Sequence, residues 1–231
     1  MLLQAKSLGM DFPDGKRQRT IFQDINFSVP PGESLALTGT SGCGKSTILN
    51  ILGGLLTPTE GSVLIGDTVL SAVSASQQAK FRSTHIGFVF QEWNLVSYLT
   101  ALDNIALPLQ LNGLTVKESR AQAQSTLEKV QMGSLSRSLP EQLSGGEQQR
   151  VAVARALVGD KSVILADEPT GSLDSINSTI VIDLLMEQAH ARGMCCIIAT
   201  HDAEIAHRCH EVLDLEQCDK SLSSQARREY S

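Results

Sequence analysis

The segment Gly39-Thr-Ser-Gly-Cys-Gly-Lys-Ser46, followed by Thr47, constrains the fold more than any other stretch of this chain. Its spacing, GxxxxGK[ST], is that of a phosphate-binding loop. Glu33–Thr38 (ESLALT) reads as a buried strand running straight into the loop, and a helix is expected from Lys45 to about Gly53. The glycines let backbone amides turn inward. Those amides, the helix N-terminus and the Lys45 ammonium then face a polyphosphate together, while the Ser46 hydroxyl can ligate Mg²⁺. The site asks for a nucleoside triphosphate. The plainer reading is a glycine turn capping a helix.

The alternating apolar positions of Leu2–Leu8 and Ile21–Val29 predict two strands of an N-terminal hairpin, joined by the basic turn PDGKRQR, which we read as a solvated loop. After the Pro58–Gly61 turn come a short strand at Val63–Ile65, a polar helix around Ser74–Thr84 and a strand at Ile86–Phe90. From about residue 101 to 158 helices dominate, and Thr115-Val-Lys-Glu118 has capping-box spacing ahead of a helix of about four turns. Strand and helix then alternate: Val163–Ala166, Ser175–Ala191, Cys195–Ala199, a short helix after His201, and Val212–Leu215. That alternation is the mark of a parallel sheet wrapped by helices. We expect one composite α/β domain over residues 2–216, with a helical insertion at about 92–158 and a frayed tail at 217–231.

Composition removes several function classes. At 231 residues, 42% hydrophobic and 19% charged, the chain can bury a sizeable core and is no disordered segment. Its net charge of −6 lacks the positive field that gathers nucleic acid, so no nucleic-acid partner is expected. No window approaches the roughly 18 apolar residues of a spanning helix. The start MLLQAKSLGMDF lacks the pattern of a secretory signal. Five cysteines, Cys43, Cys195, Cys196, Cys209 and Cys218, include no CxxC pair and read as reduced thiols. If the phosphate loop activates the Cys43 thiol, its alkylation is expected to abolish nucleotide binding and bound nucleotide to protect it.

Two further motifs carry chemistry. Val163-Ile-Leu-Ala-Asp167-Glu168 sets two carboxylates at the end of an apolar strand, where open α/β sheets bind ligands. Asp167 can hold Mg²⁺ through water, and Glu168 can polarise the attacking water. Alone, such a pair would be a solvated turn or a helix cap. Leu143-Ser-Gly-Gly-Glu-Gln-Gln-Arg150 precedes the helical run VAVARAL, which places Ser144 at a helix N-terminus with Gly145 and Gly146 leaving amides exposed. This makes a second anion site. One nucleotide does not need two γ-phosphate sites on one chain, whereas a two-subunit arrangement uses both.

With these motifs the sequence resembles the ATP-binding cassette (ABC) ATPase family over about residues 2–216. The remaining family motifs stand in order: Gln91 in FVFQ, Ser172-Leu173-Asp174 after Glu168, and His201 after CCIIAT. The resemblance implies a P-loop NTPase (RecA-like) core with an N-terminal antiparallel β-subdomain and a helical insertion. It implies that Gly39, Thr40, Ser41, Gly42, Cys43, Gly44, Lys45, Ser46 and Thr47 bind ATP, and that Ser46, Gln91 and Asp167 hold Mg²⁺. Gln91 then senses the γ-phosphate, Asp174 links two active sites, and Glu168 and His201 are catalytic. Ser144, Gly145 and Gly146 close over ATP bound to another subunit. Phe12 stands where the family sets an aromatic ring against adenine. Most members carry tyrosine there, and phenylalanine keeps the stacking face.

The stretch FVFQEWNLVSYLTALDNIALPLQLNG is most similar to bacterial cassettes of the lipoprotein-releasing and macrolide-export type. That resemblance implies an ATP-hydrolysing subunit that dimerises, as a homodimer or with a relative. The same resemblance implies that it sits on the cytoplasmic face of the inner membrane and powers a separate integral permease. Trp93, Leu95, Val96, Tyr98 and Leu99 form an apolar cluster suited to a partner groove, although such a cluster is as readily core. The alternative is a soluble ABC ATPase acting on DNA or ribosomes. The single cassette, the absence of heptads and the negative charge weigh against it.

Overall fold

A computed structural model describes residues 1–15 and 17–216. The expected tail at 217–231, with Cys218, and Lys16 of the basic turn lie outside the described residues. Two sheets organise the molecule. In the first, β1 (Leu3–Asp14) pairs antiparallel with β2 (Arg17–Val29) on one side and β4 (Glu60–Ile65) on the other, and β5 (Thr68–Val69) completes the order β2-β1-β4-β5. The second is five-stranded and parallel, in the order β6-β7-β8-β3-β9, from β3 (Ser34–Thr38), β6 (Ile86–Val89), β7 (Val163–Asp167), β8 (Cys195–Ala199) and β9 (Glu211–Asp214).

The helices are α1 (Lys45–Leu52), α2 (Ala75–His85), α3 (Ala101–Leu111), α4 (Val116–Lys129), α5 (Gly145–Leu157), α6 (Ser175–Ala191) and α7 (Ala203–Arg208). Their starts are encoded locally. Ser74, Thr115 and Ser144 each close a capping box with Gln77, Glu118 and Glu147, and Thr100 and Asp174 accept from the amides of Asp103 and Asn177.

Strand alternation sorts the core into two layers. Val163 and Leu165 of β7, and Cys195, Ile197 and Ala199 of β8, face α1 and the antiparallel sheet. Ile164 and Ala166, with Cys196 and Ile198, face α5, α6 and the α3–α4 pair. Glycine permits one close approach between layers. A Cβ on Gly87 of β6 would lie 2.1 Å from the Ala156 carbonyl oxygen of α5. The α/β class and the helical stretch agree with expectation, and α6 falls on Ser175–Ala191 as read from the sequence.

The N-terminal hairpin is present as expected, and the structure corrects the length of its turn. The segment expected to be a long basic turn is mostly strand, because cross-strand pairing runs out to Asp14 opposite Arg17 after shifts of register near Leu8 and Met10. It also adds β5, a two-residue strand too short to leave a pattern in the sequence. The described cysteines, Cys43, Cys195, Cys196 and Cys209, are free thiols, and burial pushes those of Cys195, Cys196 and Cys209 up. No helix among the described residues is long and apolar enough to cross a membrane.

Candidate functional site

β3, between β8 and β9 in the parallel sheet, delivers the chain into the phosphate loop. Gly39, Gly42 and Gly44 take φ values of 138°, 83° and 108°, a region that side-chain-bearing residues avoid. Gly44 is doubly constrained, since a Cβ there would sit 2.9 Å from both Ile21 and Phe22. Lys45 is 8% exposed and curls back over its own loop, donating from Nζ to the carbonyls of Gly39 (2.8 Å) and Thr40 (3.2 Å). The Thr40 amide donates to Glu216 Oε1 at 3.0 Å, so this corner of the loop already accommodates an anionic oxygen. Ser41 and Ser46 are exposed, Thr47 and Cys43 half-buried, and Cys43 Sγ packs against Gly39.

β7 brings the carboxylates to the same sheet edge. Asp167 is half-buried, and burial pushes its carboxyl above the usual range. A hydrogen bond from Ser46 opposes that rise, the Glu168 charge adds to it, and the Lys45 charge lowers it. Glu168 holds φ 45°, a left-handed conformation that a non-glycine residue adopts only under constraint. The constraint is visible, as its amide still donates to Ala199 O at 2.9 Å and extends the β7–β8 ladder. That turn presents the carboxylate to His201, whose Nδ1 lies 2.9 Å from Glu168 Oε2. An ionised carboxylate only accepts, so Nδ1–H donates and Nε2 of this largely exposed ring faces outward.

Gln91 follows β6, and its side chain lies over Gly171, where a Cβ would come within 2.9 Å of Nε2. The structure thus brings Lys45, Ser46, Asp167, Glu168 and His201 together and sets Gln91 beside the turn that follows Glu168. Ser144–Gly146 belongs elsewhere. Ser144 caps α5 and shares Glu147 with its own amide, both at 2.8 Å, which holds the Glu147 carboxyl below the usual range. Gly145 packs on Trp93 and Gly146 on Asn177. Among the described residues no hydrogen bond joins this helix start to the phosphate loop. Gly145 is half-buried and Gly146 buried. Asp174 caps α6 through Asn177, which holds its carboxyl low. Phe12 is 37% exposed on the hairpin and has no ring partner among the described residues.

The apolar cluster divides. Tyr98 is 82% exposed, while Trp93, Leu95, Val96 and Leu99 are half-buried. Three polar residues that sequence reasoning passed over hold this loop. Asn104, fully buried, bonds the main chain of Val96, Leu99 and Thr100. Arg155 donates to the carbonyls of Trp93 (2.9 Å) and Asn94 (2.6 Å). Gln149, 1% exposed, donates from Nε2 to Pro169 O at 2.6 Å and Phe90 O at 3.3 Å. A signal existed for Gln149, which shares one helical stripe with the buried Ala152, Val153 and Ala156 and is the polar member of that stripe.

The donor set suits Mg²⁺, a hard cation, because Ser46, Asp167 and Gln91 all offer oxygen. Among the described residues no group of three His, Cys, Asp or Glu side chains is placed to hold a metal ion.

The ABC transporter family signature matches residues 22–171. The chain is 41% identical over 216 residues to the lipoprotein-releasing system ATP-binding protein LolD of Xanthomonas campestris pv. campestris, covering 94% of this chain and 90% of that protein. It is 40% identical over 215 residues to an uncharacterised ABC transporter ATP-binding protein of Mycobacterium tuberculosis, covering 93% and 87%. Among solved structures, a dimeric post-hydrolysis state of the cassette MJ0796 bound to ADP and phosphate superposes with a TM-score of 0.83 at 35% identity, covering 92% of this chain and 93% of that one. With the phosphate loop, the strand-end carboxylates and the capped Ser-Gly-Gly start in place, the chain belongs to the ABC transporter family and is an ATP-binding, ATP-hydrolysing subunit.

Proposed function

We propose that two copies of this chain, or one copy and a close relative, close on ATP to drive a separate integral membrane permease of the lipoprotein-releasing or export type, on the cytoplasmic face of the inner membrane. The observation that carries the reading is the division of the site. Lys45, Ser46, Asp167, Glu168 and His201 converge at one sheet edge, while Ser144–Gly146 makes no hydrogen bond to them and stands at a helix start of its own. A second copy supplies what one copy lacks. The name of the LolD relative and the dimeric MJ0796 cassette are consistent with that reading.

Within one half-site, Lys45 leaves its loop carbonyls for the β- and γ-phosphates, and the amides of 39–47 wrap them. Phe12 stacks on adenine. Mg²⁺, held by Ser46 and Gln91 and through water by Asp167, would neutralise charge on the phosphates. Glu168 accepts a proton from water as its oxygen bonds to the γ-phosphorus and the bond to ADP breaks. His201 holds Glu168 from Nδ1 and so orients the carboxylate toward the attacking water beside the γ-phosphate. The Ser144–Gly146 start of the second copy offers its amides to the same phosphate, and Asp174, at the head of α6, links the two sites. We treat residues 2–216 as one domain in which 92–158 forms the arm that carries this start.

The permease docks against the groove between that arm and the parallel sheet. A cavity of about 410 Å³ there is lined by Phe88, Phe90, Leu107, Pro108 and Leu111, with Arg82, Arg155 and Lys161 at its walls and no acidic residue among its lining. Leu111 is 78% exposed. Affinity capture from detergent-solubilised membranes tests the reading: an integral membrane protein should be retained by the wild type and lost with Leu111→Glu. Retention of ribosomes or nucleic acid in its place would support the soluble alternative.

A further inference from the structure

We infer that Gln149 is a positioning residue for hydrolysis, the joint through which α5 holds both Gln91 and Glu168 in place. The two carbonyls it bridges belong to Phe90, the residue before Gln91, and Pro169, the residue after Glu168. Both partners are acceptors, so the chemistry fixes which end of the amide faces them: Nε2 uses its two hydrogens, one on each. Oε1 then points away into the buried interior with no partner among the described residues. An apolar side chain would avoid that penalty, and what it could not do is donate twice. The use of the position is therefore the pair of donors.

The neighbouring anchor sharpens the argument. Arg155, on the same helix, holds the carbonyls of Trp93 and Asn94. Between the Phe90 and Trp93 anchors only Gln91 and Glu92 are left to move, and both anchors rest on α5. The first turn of that helix is Ser144–Gly146. One rigid element therefore sets the main chain around Gln91, around Glu168 and at the amides offered to the other copy. Gln149 is buried and bonds only main-chain carbonyls, so it acts through those neighbours. The inference rests on the site reading above for the roles of Gln91 and Glu168.

The test uses the full chain and two substitutions of similar reach. Gln149→Met removes both donors, and Gln149→Glu keeps length and polarity but cannot bridge two carbonyls with two hydrogens. Both should lower kcat about ten- to a hundredfold, the loss typical of a reacting group displaced by about 1 Å. ATP affinity measured in EDTA should stay within twofold, since the Lys45 loop is untouched. Leu127→Ala, in the core of α4, gives the comparison for mere destabilisation and should lower Tm at least as far while kcat stays within threefold. A kcat within threefold of wild type in either Gln149 variant overturns the inference. So does a fall of ATP affinity in step with kcat, or failure of both variants to fold, because the role would then be structural. Full turnover by Gln91→Ala and Glu168→Gln would instead overturn the site reading, whatever Gln149 does.

Discussion

Gly146→Ala separates the fold from the two-copy site. The added Cβ would lie 2.5 Å from Asn177 Oδ1 and 2.7 Å from its Cγ, about 0.9 Å short of ordinary contact. Asn177 is not free to yield, because its Nδ2 donates to Asp174 Oδ2 at 2.8 Å and its amide takes the other oxygen of the same cap. Either Asn177 turns and gives up one hydrogen bond, about 1 kcal/mol, or the start of α5 backs away by a similar distance. Alanine's better helix propensity offsets part of that loss, so Tm should fall by no more than about 2–4 °C for a chain of this length. Hydrolysis should suffer more. A displacement of about 1 Å at amides that must meet a phosphate is worth about a hundredfold in kcat, or roughly 2.7 kcal/mol of barrier. Phosphate release at saturating MgATP, a thermal melt and ATP binding to the monomer measure the three quantities. Turnover within threefold of wild type would refute the placement of Ser144–Gly146 in the reaction, and loss of monomer ATP affinity would refute its separation from the phosphate loop.

Other perturbations reach other parts of the molecule. Lys45→Ala should lose most triphosphate affinity, and equilibrium binding of a fluorescent ATP analogue checks this. Alkylation of Cys43 should block ATP binding and be slowed by bound ATP, and equal modification with and without ATP would argue against its place in the loop. Burial pulls the Lys161 ammonium down to about 8, with Arg192 adding to the fall. The unfolded chain then holds more protons than the native one between about pH 8 and the ordinary lysine value, so stability rises with pH in that window. Melts at pH 7.5 and 9.5 should move in favour of wild type relative to Lys161→Met, and parallel shifts would refute that burial.

What the sequence made legible was whatever rests on local spacing. The phosphate loop, the strand-end carboxylates and the capped helix starts at Thr115 and Ser144 are each written within a few consecutive residues, and each lies where it was read. What it hid depends on pairs far apart in the chain. The contact of Glu168 with His201 spans 33 residues and that of Gln149 with Phe90 spans 59, and although the helical stripe marks Gln149 as buried, no local pattern names either partner. The length of the hairpin's turn was misread for a related reason, since cross-strand pairing carries Pro13, Asp14 and 17–19 into the strands and leaves Gly15 in the turn. The contact of Gly146 with the Asn177 side chain, between two different helices, is likewise invisible in the local sequence.

The most direct test of the two-copy engine is the mass in solution of Glu168→Gln, a substitution that keeps side-chain size and removes the proton acceptor. By sedimentation or light scattering it should be monomeric without nucleotide or with ADP and become dimeric with MgATP. A protein that binds MgATP yet stays monomeric at every concentration, with and without a membrane partner, would contradict the account.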